Sequence, residues 1–407
     1  MRPTPLSFLL CFCVAACADG GEEDRPKSEV SFSAQHHLFG FRTLRGFESF
    51  PVPGEAVESD RGTLNLFDDS TWTVTRSGGT SNADRYALER PGDLSIFVTG
   101  NGRTEPSVVF LGGYGLVGAS DDGTPGVTPD FFFTDRVSTP ASEKLGFYVG
   151  TRLLAGQVEL AGAWHVLSLH VVLPSTLLLL DPDNVARAAR GSVTVGAGAP
   201  GEVRTVSGTG FQGSPGVTFG GSIQNLLTNG TGNGTCNFTL DYTVAGSPLD
   251  SRVLRAAATE RLVLALDDDE SDGEAGLVVM VRKFDVPAAP VDSVRLPGTF
   301  LVGGQTIFVN PTNSGSDVFV GTVTLAANNG FRLDAVGNQG QDFAYTGTWT
   351  LASDGGITLA INGTNETWFA AIDRSYNTLV FVDDFVESRS NNLPELNLGF
   401  GVRRRDG

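Results

Sequence analysis

Residues 378–405 read TLVFVDDFVESRSNNLPELNLGFGVRRR: an apolar strand, paired aspartates, a polar loop and a last strand ending on arginine. The same plan occurs twice earlier. Leu116-Val117, Asp121-Asp122 and the strand from Leu145 to Arg152 form one copy; Leu262-Val263, Asp267-Asp268 and the strand from Leu277 to Arg282 form another. A second marker fixes the register between copies. GTLNL from Gly62, GSVTV from Gly191 and GTVTL from Gly321 share one alternating pattern and lie 129 and 130 residues apart. Trp72 and Phe331 each follow that glycine by ten residues, and Tyr86 to Leu94 matches Trp349 to Ile357 across a glycine-containing turn. Self-similarity at a fixed period marks tandem units, here three of about 110–130 residues.

The units read as all-β. Short Val/Leu/Phe/Thr runs alternate with Gly, Asn, Asp and Ser, which favours antiparallel strands joined by tight turns. The third copy suggests eight or nine short strands, with separate pieces at Phe300-Val302 and Thr306-Val309. Strands in meander order close most economically as an up-and-down barrel, which leaves no edge; a β-propeller and a row of β-sandwiches are the alternatives. One short helix is expected over residues 183–190. The run VVLPSTLLLL at 171–180 is broken by Pro174 and reads as two buried strands around a turn. The expected division is signal 1–17, tether 18–33, units 34–153 and 154–284, linker 285–295 and unit 296–407.

The 407 residues carry a net charge of −18 with 40% apolar residues. That is a globular composition, and its sign argues against nucleic acid or an anionic membrane face as a partner. Cys11, Cys13 and Cys17 crowd the N-terminus and leave Cys236 alone, so no internal disulfide framework is available.

Arg2 and the apolar run from Leu6 to Ala16 form a signal-like segment too short to span a bilayer. Val14-Ala15-Ala16-Cys17 resembles the lipobox of bacterial lipoproteins. The resemblance implies lipidation of Cys17 and a membrane partner through that anchor. Ala18 in place of aspartate implies outer-membrane export in a Gram-negative host. Residues 18–33 are acidic and polar, as a tether above the lipid surface requires.

A second resemblance concerns the repeats. Gly162-Ala-Trp164 opens the second copy and Arg282 ends it, similar to the calycin pattern of lipocalins, in which an arginine stacks over a tryptophan. The third copy has Gly298-Thr-Phe300 with Arg403, and the first has Phe39-Gly40-Phe41 with Arg152. The resemblance implies structural roles for Trp164, Arg282, Phe300 and Arg403, and an interior for a small apolar ligand.

Chemistry-bearing motifs are sparse. Gly196, Gly198 and Gly201, like Gly208, Gly210 and Gly213, have dinucleotide spacing, but no helix start follows, so both read as turns. His165 and His170 fall on opposite faces of one strand and cannot share a metal from it, and His36-His37 reads as a solvated edge. Asp268, Glu270 and Asp272 start like a calcium loop, but Val279 holds the twelfth position; the bland alternative is a solvated hairpin tip. No serine-hydrolase elbow occurs, and no cofactor is expected. The sequence therefore points to a non-enzymatic envelope lipoprotein of binding or scaffolding type. The alternatives are a purely structural or protein-interaction lipoprotein with filled barrels, and a hydrolase whose acid and nucleophile the sequence does not mark. Protein partners are unknown at this stage.

Overall fold

A computed structural model describes residues 34–46, 57–66, 71–76, 81–90, 93–96, 114–116, 130–138, 143–152, 158–172, 186–199, 201–211, 216–228, 231–244, 247–267, 274–285, 291–308, 315–337, 342–383 and 395–403. Twenty-four strands follow in chain order. The first eight are β1 (Ala34–Leu44), β2 (Val57–Leu66), β3 (Thr71–Arg76), β4 (Ser81–Arg90), β5 (Asp93–Ile96), β6 (Tyr114–Leu116), β7 (Phe131–Ser138) and β8 (Glu143–Arg152). The next are β9 (Gly162–Val172), β10 (Ala186–Val195), β11 (Arg204–Phe211), β12 (Gly216–Thr228), β13 (Thr231–Val244), β14 (Ser247–Ala258), β15 (Leu262–Asp267) and β16 (Glu274–Arg282). The last are β17 (Gly298–Phe308), β18 (Gly315–Leu325), β19 (Gly330–Gly337), β20 (Asp342–Leu351), β21 (Gly356–Ile361), β22 (Thr367–Ile372), β23 (Thr378–Asp383) and β24 (Glu395–Arg403).

The protein is all-β. β9–β16 and β17–β24 each close into an eight-stranded antiparallel up-and-down barrel, the first strand pairing with the eighth. β1–β8 form an eight-stranded sheet of the same strand order, in which no ladder joins β6 to β7 among the described residues. The propeller and the sandwiches are thereby excluded. The repeat markers occupy equivalent ladder positions. Gly62 pairs with Leu38, Gly191 with Val166 and Gly321 with Val302. Trp72 sits opposite Leu66 and Phe331 opposite Leu325.

Three local expectations need correction. β17 is one strand where two pieces were expected, which settles the third unit at eight strands, the lower of the two expected counts. Gly303 and Gly304 interrupt the apolar pattern but not the ladder, because Phe132 and Phe319 cover them; a Cβ on either would come 2.4 Å from those rings. Residues 186–190 are strand, not helix. Ala186 and Ala188 are buried against other units, so tertiary packing overrides the helix propensity of alanine and arginine. Gly208 and Gly210 lie within β11 rather than in a turn, and Gly210 is bare because the Phe219 ring lies 2.2 Å from where its Cβ would be.

Alternation along the strands separates two kinds of core. On β15 and β16, Val263, Ala265, Val278 and Met280 point into the barrel, among Trp164, Phe219 and Phe238. Leu262, Leu264, Leu266, Leu277, Val279 and Val281 point outward, yet all are fully buried. Their outward face meets Phe39, Phe41 and Phe147 of the first sheet and Val380, Leu398 and Phe400 of the last barrel. Strands buried on both faces lose polar alternation and read as continuous apolar runs, which is why LVLALD and TLVFVD stand out in sequence.

The units meet in a cycle. β1 and β2 lie on β15 and β16, β9 and β10 on β23 and β24, and β17 and β18 on β7 and β8. They also stand parallel. Odd-numbered strands start at one end of each unit, here called the arginine end because β8, β16 and β24 finish there on Arg152, Arg282 and Arg403. Arginine-end groups touch arginine-end groups: Thr378 reaches Asp130 at 3.0 Å and Arg261 reaches Asp373 at 2.9 Å. At the opposite end, Ser59 donates to the Asp267 carbonyl at 3.0 Å and Gly46 bridges to Gly315.

A shared core couples the stability of its parts. The whole body should therefore melt in one calorimetric transition, and Leu264→Ala should lower the stability of that transition by about 3 kcal/mol. Separate transitions, with only one displaced by Leu264→Ala, would contradict the shared core.

Candidate functional site

At the arginine end of the first closed barrel, the Arg282 guanidinium lies 5.2 Å from the Trp164 ring centroid. It donates to the carbonyls of Glu159 at 2.7 Å and Ala161 at 2.6 Å, while the Trp164 indole N–H donates to Leu160 at 3.0 Å. In the last barrel Arg403 lies 4.8 Å from the Phe300 ring and donates to the carbonyls of Tyr376, Pro297, Leu296 and Arg295 at 2.6–3.0 Å. The glycine two residues before each aromatic leaves room for the cation. A Cβ on Gly162 would stand 3.3 Å from Arg282 Nη2, and one on Gly298 would stand 2.6 Å from Arg403 Nη1. Each arginine thus ties its own strand end to neighbouring segments through charge-assisted hydrogen bonds to their carbonyls. In the first unit the residue opposite Arg152 is the buried His36, not Phe39-Gly40-Phe41. His36 therefore occupies the position of Trp164 and Phe300, and the expected solvated edge is replaced by a buried one.

Between the arginine ends sits a three-way clasp. Asp130 of the first unit is buried and accepts from Thr151 at 2.6 Å and from Thr378 of the last barrel at 3.0 Å. Burial pushes its carboxyl above the usual aspartate range, against the opposing field of Arg261. Arg261 of the middle unit pairs with buried Asp373, whose other oxygen accepts the Asn377 and Thr378 amides at 2.9 Å. Beside it, the Lys283 ammonium bonds Asp354 at 2.9 Å, and the His165 Nε2 lies 3.1 Å from the Asp354 carbonyl. His165 packs against Phe369 of the last barrel with ring centroids 5.6 Å apart, and its Nδ1 is buried without a hydrogen-bond partner. Burial, then the Lys283 charge, pushes the imidazole down to about 4 despite Asp354. His165 is neutral there.

The opposite mouths hold inward polar groups. In the first closed barrel, His170, Arg252 and Asp267 are buried together, with Glu274 3.1 Å from Arg252 Nη2. His170 Nδ1 lies 3.2 Å from Arg252 Nη1 and 3.7 Å from Asp267 Oδ2, and Arg252 also bonds Asp267. Burial alone would raise the Asp267 carboxyl, but the adjacent His170 and Arg252 outweigh it and hold it at about 2. The equivalent position in the first unit is Arg42, which pairs with Glu58 and stacks 5.3 Å over Tyr148. In the last barrel the paired-aspartate marker puts Asp383 inward and buried, as it does Asp267. These clusters satisfy their charges internally, and residue-type patterns did not announce them; only the aspartate marker did.

Among the described residues no group of three His, Cys, Asp or Glu side chains is arranged to hold a metal ion. Cys17 and the loop residues Asp268, Glu270 and Asp272 lie outside the described residues. Cys236 is buried inside the first closed barrel, and burial pushes its thiol up to about 12, so it is chemically inert at neutral pH. No described helix is long and apolar enough to cross a membrane.

Fold and geometry define a class: an all-β protein with two closed eight-stranded barrels, each plugged at one end by an arginine over an aromatic ring. No family model matches the sequence, and no curated protein matches it. Solved structures that overlap it include the following two. Intact Ap-TbpB, with its N and C lobes, aligns at 9% identity over 92% of this chain and 77% of that one, with a TM-score of 0.28. A tryptophan-to-alanine mutant of the vaccine antigen transferrin binding protein B from Haemophilus parasuis Hp5 aligns at 7% identity over the same shares, with a TM-score of 0.30. Superposition at that level does not assign the chain to their family.

Removing the ring beneath the arginine should be costly: Trp164→Ala is expected to lose about 3–5 kcal/mol in denaturant unfolding. An unchanged midpoint would mean that the plug contributes nothing. Arg261→Met removes the cation beside the buried Asp373 carboxylate, and is expected to cost about 3 kcal/mol by the same measurement. His165 adds a pH dependence of definite sign. Its folded value lies below the unfolded one, so the unfolded chain takes the proton first and stability falls as pH drops from about 6.5 to about 4. The loss is at most about 3 kcal/mol, and His165→Phe should flatten that part of the curve.

Proposed function

We propose that this chain is a bacterial envelope lipoprotein, anchored through Cys17, whose β body is a rigid, non-enzymatic binding or scaffolding platform. The observation that carries the reading is the filling of the barrels. Trp164, Phe219, Phe238 and Leu240 occupy the first closed barrel and Phe300, Trp349 and Trp368 the last, each 4% exposed or less. Interiors packed to this degree favour partners met on the outer surface over a small apolar ligand held within. The absence of catalysis is supported by the inert Cys236 and by the internal pairing of His170, Arg252, Asp267 and Glu274. On this reading residues 1–17 end at the lipidated cysteine, 18–33 form the tether, and units 34–153, 154–284 and 296–407 build the platform with 285–295 as linker. Export to the outer membrane, in a Gram-negative host, rests on Ala18.

Metabolic labelling with an alkyne fatty acid should mark the wild-type chain and leave Cys17→Ser unmarked and released from the membrane. Equal labelling of both would remove the anchor from the proposal. Native mass spectrometry of protein extracted from host membranes should then show the acylated chain without a further small molecule. Added mass lost on denaturation would restore the ligand-binding reading.

A further inference from the structure

The parallel stance of the three units gives the body two unlike ends, and the chain enters it at one of them. β1 begins at Ala34, beside the end of β8 at Arg152. The Trp164–Arg282 and Phe300–Arg403 plugs and the Asp130 clasp lie at that same end.

We propose that the arginine end is the membrane-facing end, and that its turns rest on the lipid surface that holds the anchor. This rests on the lipidation of Cys17 proposed above. Three observations support it. The first is reach. A polar chain the length of residues 18–33 spans about 22 Å r.m.s.. An 11-residue barrel strand such as β9 stands about 28 Å tall once tilted. The tether therefore favours the near end over the far one.

The second is charge. The chain as a whole carries −18. At the arginine end carboxylates are answered by cations: Glu159 by Arg204, Asp354 by Lys283, Asp373 by Arg261 and Asp285 by Arg374. Arg282, Arg295 and Arg403 further offset Glu202, Glu260 and Asp292 there. The described turns of this end therefore carry their charges nearly balanced, which limits repulsion from an anionic bilayer.

The third is apolar exposure. Val203, Val253 and Val294 are the large apolar side chains exposed among the described residues. Two of them, Val203 at 63% and Val294 at 84%, sit on turns at the arginine end. Apolar side chains on separate turn tips suit shallow contact with the headgroup boundary.

The test uses the full lipidated protein in vesicles of zwitterionic and anionic phospholipid carrying a headgroup energy acceptor. Donor dyes are placed by Val294→Cys or Val203→Cys at the arginine end, and by Asn365→Cys on the exposed β21–β22 turn at the other end. The buried Cys236, with its thiol pushed up to about 12, stays unlabelled. Transfer from both valine sites at least threefold stronger than from Asn365→Cys is the expected result. Equal or stronger transfer from Asn365→Cys, in protein that floats with the vesicles, would overturn the orientation and leave the lipoprotein reading standing. Flotation of a Cys17→Ser chain equal to wild type would overturn the lipoprotein reading, and the orientation with it.

Discussion

The structure depends on burying the outer faces of a few barrel strands against one another. A lone barrel hides its inward residues and leaves its outward ones in water. Here Leu262, Leu264 and Leu266, and likewise Leu277, Val279 and Val281, would form a broad exposed apolar patch on an isolated middle unit. Six aliphatic side chains at roughly 1.5–3 kcal/mol each are a large fraction of what holds any domain together. The first sheet and the last barrel cover them, and are covered in turn. Polar clasps such as Asp130–Thr378 and Arg261–Asp373 then fix the register between units that apolar contact alone would leave loosely defined.

That constraint explains where the sequence was readable. The all-β class and the repeat register were open to inspection because the glycines Gly62, Gly191 and Gly321 occupy equivalent ladder positions. At Gly191 a neighbouring ring, and at Gly321 a neighbouring strand, also comes too close for a Cβ. Both-face burial was visible in TLVFVD and LVLALD, although its cause was not. The first strand of the last unit was read as two pieces because the glycines at 303 and 304 look like a turn in one dimension. They are flat spots under aromatic rings in three.

The candidate site was less legible, for a physical reason. A guanidinium over an aromatic ring leaves a trace in sequence, since glycine, aromatic and arginine recur at fixed places, and Trp164 with Arg282 carries that trace. The clasp of Asp130, Arg261 and Asp373 joins residues from three units that no local period relates. His165 and His170 were correctly placed on opposite faces of β9, yet nothing in the sequence tells that one meets the neighbouring barrel and the other a buried arginine. Charged pairs inside a barrel mouth look, as letters, like any hairpin end.

The cyclic arrangement has a consequence for concentration. In a head-to-tail ring every unit offers one surface and receives another, and copies joined in this way either close or propagate as filaments. Here the closing contact, between β17–β18 and β7–β8, is made within one polypeptide. Covalent linkage replaces mass action, so the ring does not dissociate on dilution as three separate chains would. It also leaves no vacant copy of that contact for a second molecule.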